Sequence, residues 1–206
     1  MEISYLPSEY LINCIRKQEQ IKKLESNFLL RAVKIKNNSK NSIQLIQYKF
    51  EIKRKNNCVK TIIYNEEMIK EKSEDIKQFL ERISIPDFAK AFMGVEEFWK
   101  KELLSSNILE PNQETGFRLE HFTHLDSDPV DLLVLSVTYI EEEEEKTEVC
   151  TIPLVQYKNK NQYIFPLKGA WIAINAFDNP YEHRRMHSQE FVFDLGQLDE
   201  KMFFIP

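Results

Sequence analysis

Residues 42–57 read SIQLIQYKFEIKRKNN, and this stretch decides the fold. From Tyr48 onward the apolar residues fall on every second position, Tyr48, Phe50 and Ile52, while Lys49, Glu51 and Lys53 take the positions between. Successive side chains of an extended strand point to opposite faces, so this pattern specifies one dry face and one wet face. A helix would scatter both sets around its circumference. The flanks supply the turns. FLLRAVKIKNN runs into Asn37-Asn38-Ser39-Lys40-Asn41 before the stretch, and Asn56-Asn57 turns the chain into CVKTIIY after it. Three consecutive antiparallel strands are expected.

Further strands follow downstream. ILEPNQETGFRLEHF carries a turn at Pro111-Asn112, and in VDLLVLSVTYI the residues Leu133, Leu135, Val137 and Tyr139 alternate with Val134, Ser136, Thr138 and Ile140. The first half of the latter is apolar on both faces, as a central strand requires. The run Glu141–Glu145 separates it from KTEVCTIPLVQY. Five consecutive carboxylates repel one another and lack the turn and spacing of a calcium loop, so an exposed hairpin loop is expected there.

Between these sets lies a segment of helical period. EEMIKEKSEDIKQFLERI sets Met68, Ile69, Ile76, Phe79, Leu80 and Ile83 on one stripe, and a second helix is expected after Ser84 and Pro86, including Phe88, Phe92, Phe98, Trp99 and Leu103. Residues 1–26 also read as a helix, since Leu11, Cys14, Ile15, Gln18, Ile21 and Leu24 return at intervals of three or four. The expected fold is therefore mainly β: an immunoglobulin-like antiparallel β-sandwich over residues 27–157 with a helical insertion at about 65–106, preceded by the helix 1–26 and followed by a short partial β segment, 158–206.

Composition narrows the function classes. Hydrophobic residues form 42% and charged residues 30% of the 206, enough to bury a sizeable core and too apolar for a disordered chain. No stretch approaches the roughly 20 apolar residues that cross a bilayer, and MEISYLPSEYLINCIRKQEQ is too polar for a secretory signal, so a cytoplasmic protein with no membrane partner is expected. Residues 1–64 hold 13 Lys and Arg against 5 Asp and Glu, but Lys34, Lys36, Lys49 and Lys53 alternate with apolar residues as on the wet face of a sheet. A solvated face, and no nucleic-acid partner, is the reading. Cys14, Cys58 and Cys150 are odd in number and far apart, which argues against a disulfide framework or a thiolate zinc knuckle. Only four glycines are present, none at the spacing of a phosphate loop, and no serine sits in a G-x-S-x-G elbow. His121 and His124 in LEHFTHLD, with Asp126 and Asp128 behind them, are explained by a strand end followed by a turn.

The most specific signal lies at the carboxy end, in YIFPLKGAWIAINAFDNPYEHRRMHSQEFVFDLGQLD. His183 and His187 are four apart, and Asp194 follows seven residues later on the alternating segment FVFDL. Imidazole and carboxylate are ligands of catalytic zinc, which takes three protein ligands and leaves one position for water. Arg184-Arg185 beside His183 are candidates for pairing with an anionic ligand, although two solvated arginines in a turn after Asn179-Pro180 are the favoured reading.

These residues resemble the lysostaphin-type zinc metallopeptidases, which cleave peptide cross-links in bacterial cell walls with a small, mostly antiparallel β fold. The likeness rests on Phe165-Pro166-Leu167-Lys168-Gly169-Ala170-Trp171, similar to the first strand of that domain, and on His183 followed by Ser188-Gln189-Glu190-Phe191-Val192-Phe193-Asp194-Leu195. The resemblance implies His183 and Asp194 as zinc ligands and His187 as a substitute for His183; Arg184 and Gln189 beside them are the candidate binding residues. It covers about 45 residues and departs from the family pattern at two points. Glu190 stands four residues before Asp194, where better-known members place the first histidine, and no His-x-His follows. The resemblance therefore implies a truncated peptidase-like protein, inactive as this chain, with weakly held zinc and a peptide or protein partner. The alternative is an intracellular protein-binding β-sandwich module with no enzymatic activity, using a sheet edge or the Phe92/Phe98/Trp99 helix.

Overall fold

The computed structural model describes residues 1–82, 106–156, 169–175 and 194–198. They form a mainly β, mostly antiparallel, sandwich-like fold with one helix inserted between strands. In chain order the elements are β1 (Glu2–Leu6), β2 (Leu11–Gln18), β3 (Lys23–Lys36), β4 (Ile43–Arg54), β5 (Asn57–Asn65), α1 (Glu66–Arg82), β6 (Ile108–Leu109), β7 (Glu114–Asp126), β8 (Leu132–Glu141), β9 (Glu144–Gln156), β10 (Ala170–Asn175) and β11 (Asp194–Leu198).

The strand order of the large sheet is β1-β3-β2-β9-β8-β4-β5, with β7 on β3 and β6 on β4. β7 pairs β3 from Lys36↔Glu114 to Leu24↔Asp126 and so occupies one whole edge of it. β1 and β2 therefore share the opposite edge, against Ala32–Lys36 and Lys23–Asn27 respectively. A short parallel contact, Leu11↔Leu154 to Asn13↔Gln156, joins β2 to β9 and links the two halves of the sheet. The halves then fold face to face. Phe50 of β4 meets Phe117 and Phe122 of β7 with ring centroids 5.8 and 5.2 Å apart, and Tyr48 meets Phe117 at 5.3 Å. Tyr48, Phe50 and Ile52 are fully buried, as are Leu133, Leu135 and Val137 opposite them in β8. The two alternating faces do meet in one core.

Residues 1–26 do not form the expected helix; they supply β1 and β2 and begin β3, all within the large sheet. The boundary at residue 27 disappears with it. The misreading has a physical cause. Leu11 and Asn13 are the buried positions of β2, so the period is two, but its second inward residue is polar and is held by hydrogen bonds. Without Asn13 in the apolar set, the remaining hydrophobic residues fall at helical intervals.

Two turns refine the reading. The β4–β5 hairpin turns at Lys55-Asn56, with φ of 48° and 70°, one residue before the expected Asn56-Asn57. Two central residues with positive φ match the twist of the flanking strands. The same geometry recurs at Glu142-Glu143, with φ of 49° and 66°, so the acidic run straddles a tight hairpin with Glu141 ending β8 and Glu144 opening β9.

The helix α1 begins with Glu66 and Glu67 in its first turn and Asn65 Oδ1 accepting from the Met68 N–H, both favourable at a helix N-terminus. Ile69 and Ile76 of the expected stripe are buried, and Met68 is exposed. The expected second helix, with Phe92, Phe98 and Trp99, lies outside the described residues. No helix among the described residues is long and apolar enough to cross a membrane.

Candidate functional site

β10 and β11 pair antiparallel as a second, two-stranded sheet, from Ala170↔Leu198 to Asn175↔Asp194, with an irregularity between Ala173 and Asn175. Gly169 leads into β10 at φ 96°, a conformation side chains other than hydrogen rarely adopt. This pairing sets the backbone of Asp194 directly opposite Asn175 on the strand that carries Trp171. His183, Arg184, His187 and Gln189 lie outside the described residues, and of Asp194 the backbone position alone is described.

The other two histidines of the sequence sit in β7. His121 places Nε2 3.1 Å from Asn27 Oδ1, and His124 places Nε2 3.5 Å from Asp126 Oδ2. Asp126 also receives the backbone N–H of Ser127 at 2.7 Å and the Arg54 guanidinium at 2.8 Å. The Ser127 amide, aided by Arg54, holds the Asp126 carboxyl below the ordinary carboxylate range. β7 ends at Asp126, so the strand-end reading of this cluster holds. Among the described residues no group of three or more His, Cys, Asp or Glu is placed to hold a metal ion.

Two polar clusters were not foreseen. In the first, Tyr64 of β5 donates to Glu120 of β7 at 2.7 Å, Lys72 of α1 donates to the other oxygen of the same carboxylate, and the Lys72 ammonium stands 4.4 Å from the centre of the Tyr64 ring. Beside it, Arg118 donates to Asp75 at 3.1 Å, and a half-open cleft of about 200 Å³ is lined by Glu71, Lys72, Asp75, Phe117 and Arg118. Glu120 and Lys72 neutralise each other, and Asp75 and Arg118 do likewise, so the two ion pairs clamp α1 to β7. In the second, Asn13 donates to Ser26 Oγ at 3.3 Å and to the Val130 carbonyl at 2.9 Å, and accepts from the Asn27 N–H at 3.1 Å.

A sequence signal for Glu120 exists in retrospect. Phe117 and Phe122 are both buried, yet five positions apart they cannot share a face of a regular strand. The strand kinks at Leu119, where φ is 55°, and this turns Glu120 and Phe122 inward together.

No family model and no curated protein matches the chain.

Proposed function

We propose that this chain is a peptidase-like protein that works by holding a peptide or protein partner rather than by cleaving it. The observation that carries the reading is the β10–β11 pair, which brings the two segments of the lysostaphin-type resemblance, the Gly169-Ala170-Trp171 run and the Asp194-Leu195 run, onto adjacent strands. His183 and Asp194, with His187 as the substitute, are the proposed zinc ligands, and Arg184 and Gln189 flank them as binding residues. The other two histidines of the sequence lie in β7, His121 beside Asn27 and His124 3.5 Å from Asp126. One imidazole and one carboxylate, with His187 only a substitute for His183, fall short of the three protein ligands of catalytic zinc and leave no general base, so zinc binds weakly and no peptide hydrolysis is expected. Three cysteines on three different strands, with no disulfide between them, agree with work in a reducing compartment of the cell.

Calorimetric titration of the full chain with zinc at pH 6.0 and 7.5, beside the His183→Ala variant, tests this. Ligand imidazoles must be neutral, so affinity should weaken as pH falls through about 6.5, and His183→Ala should weaken binding, with His187 only partly replacing it. Cleavage of a cell-wall peptide by the chain, or zinc uptake unaffected by His183→Ala, overturns the reading.

A second reading, a β-sandwich module with no link to peptidases, is favoured by one observation: the length of open sheet edge along β9.

A further inference from the structure

The hydrogen-bonding direction of each β9 residue follows from its turn. A two-residue hairpin loop is closed by a residue pair that exchanges its backbone hydrogen bonds, here Glu141↔Glu144. Bonding then alternates along the strand, so residues 144, 146, 148, 150 and 152 face β8. The Leu154 N–H, donating to the Asp131 carbonyl beside β8 at 2.9 Å, continues the same parity. The residues between, Glu145, Thr147, Val149 and Thr151, turn both N–H and C=O to the opposite edge. Among the described residues nothing pairs with that edge until β2 takes Leu154–Gln156. At residue 153, the next outward position, stands a proline, which has no N–H to offer and closes the open stretch at that end.

The open edge is solvent-exposed and carries its own selectivity. Glu145, Thr147, Val149 and Thr151 are all exposed, Val149 by 55%. Glu142, Glu143, Glu144 and Glu148 are exposed around them, while the one cation of this stretch, Lys146, is bound to Glu141 at 2.8 Å. Two copies of this edge brought together would oppose carboxylate to carboxylate, so self-pairing is disfavoured. The edge of β5 differs, because Lys60 donates across to the Thr123 carbonyl of β7 at 3.2 Å and Tyr64 bridges to Glu120.

We infer that the open edge of β9, Glu145 to Thr151, receives an extended basic segment of a partner protein as an added strand. The backbone ladder supplies affinity, the glutamates select lysine or arginine, and the outward Val149 and Thr151 favour apolar or β-branched residues between those cations. This rests on the reading of the chain as a module that holds a partner, and it does not involve the zinc ligands.

The test uses the full chain and a fluorescein-labelled nine-residue peptide alternating lysine with valine, followed by anisotropy and amide hydrogen exchange. Binding is expected, at least tenfold tighter than for the glutamate-valine counterpart, with new amide protection at residues 145, 147, 149 and 151. Val149→Pro removes one outward N–H without touching the β8 ladder and should weaken binding at least tenfold. A peptide N-methylated on alternate amides should lose binding to the unaltered chain, which keeps the test independent of any variant's folding. Binding that is lost in salt but indifferent to N-methylation and to Val149→Pro shows mere charge attraction and overturns the inference. Protection that appears on other strands overturns the edge while leaving the module reading standing. No binding of the lysine peptide, or salt-dependent dimerisation through β9, overturns it as well.

Discussion

The Tyr64 hydroxyl of β5 donates to the buried carboxylate of Glu120 in β7, 2.7 Å away, across the side of the fold where those two strands are not paired. Lys72 of α1 meets the same carboxylate. One acid thus ties together two strands and a helix that no backbone ladder joins, and it explains how the helical insertion is fixed against the sheet.

Two tyrosines in the same core should respond oppositely to loss of the hydroxyl. Tyr64→Phe removes a bond to a buried carboxylate and should cost about 1–2 kcal/mol. Tyr48 is fully buried and its hydroxyl has no hydrogen-bond partner among the described residues, so Tyr48→Phe should be neutral or stabilise by up to about 1 kcal/mol. Urea melts of the two variants check the pair, and equal destabilisation would contradict it.

The same groups set an alkaline limit. Burial, reinforced at Tyr64 by the Glu120 charge, raises both phenols above their ordinary value. A phenol raised in the folded state stabilises fully below the unfolded value of about 10, and that contribution is lost as pH rises toward the folded value. Stability should therefore fall from pH 9 to pH 11, and Tyr48→Phe should flatten the fall. Denaturant midpoints across that range provide the measurement.

Phe50 contacts Tyr64, Phe117 and Phe122 with no exposed surface. Phe50→Ala should cost about 3–5 kcal/mol, the range for a large aromatic removed from a packed interior. A loss below about 1 kcal/mol in a denaturant melt would place Phe50 outside the core.

How much was legible follows from which residues face inward. Wherever the inward set was apolar, as at Tyr48/Phe50/Ile52 and Leu133/Leu135/Val137, alternation identified the strand and its face. Where a polar residue faced the core, the pattern failed: Asn13 disguised β2 as a helix. The kink at Leu119 hid Glu120 in the same way, because parity along β7 changes there. The β10–β11 pair brings the two ends of the carboxy-terminal motif alongside each other, but the chemistry assigned to His183 and His187 came from resemblance, since pairing of strands carries no information on residues between them.

Asn13 offers a direct check on the polar network. At 2% exposure it satisfies the Val130 carbonyl and the Asn27 N–H, both of which lose their partner in Asn13→Ala. Orphaned buried groups outweigh the side chain's own net contribution, so a loss of about 2–3 kcal/mol is expected. Asn13→Asp, which keeps the acceptor for Asn27 but not the donor to Val130, should not rescue it. Thermal melts of both variants at pH 7 decide the matter.

The last prediction concerns the Glu142-Glu143 turn. Both residues sit at positive φ, where an L side chain crowds the backbone at a cost of roughly 1–2 kcal/mol per residue in the left-handed region. Asparagine and glycine occupy that region with less strain, and Asn-Gly is the preferred pair for this turn. The β4–β5 hairpin already has Asn56 at its second central position. Replacing Glu142 by Asn and Glu143 by Gly also relieves repulsion among neighbouring carboxylates, while the Glu141–Lys146 ion pair stays in place. Extra chain entropy of the glycine in the unfolded state offsets part of the gain. The double variant should be more stable by about 1–2 kcal/mol, a rise of roughly 2–8 °C in Tm for a chain of this size. Calorimetric melting measures it, and a lowered Tm would mean that the two glutamates make contacts in the folded turn worth more than the strain they bear.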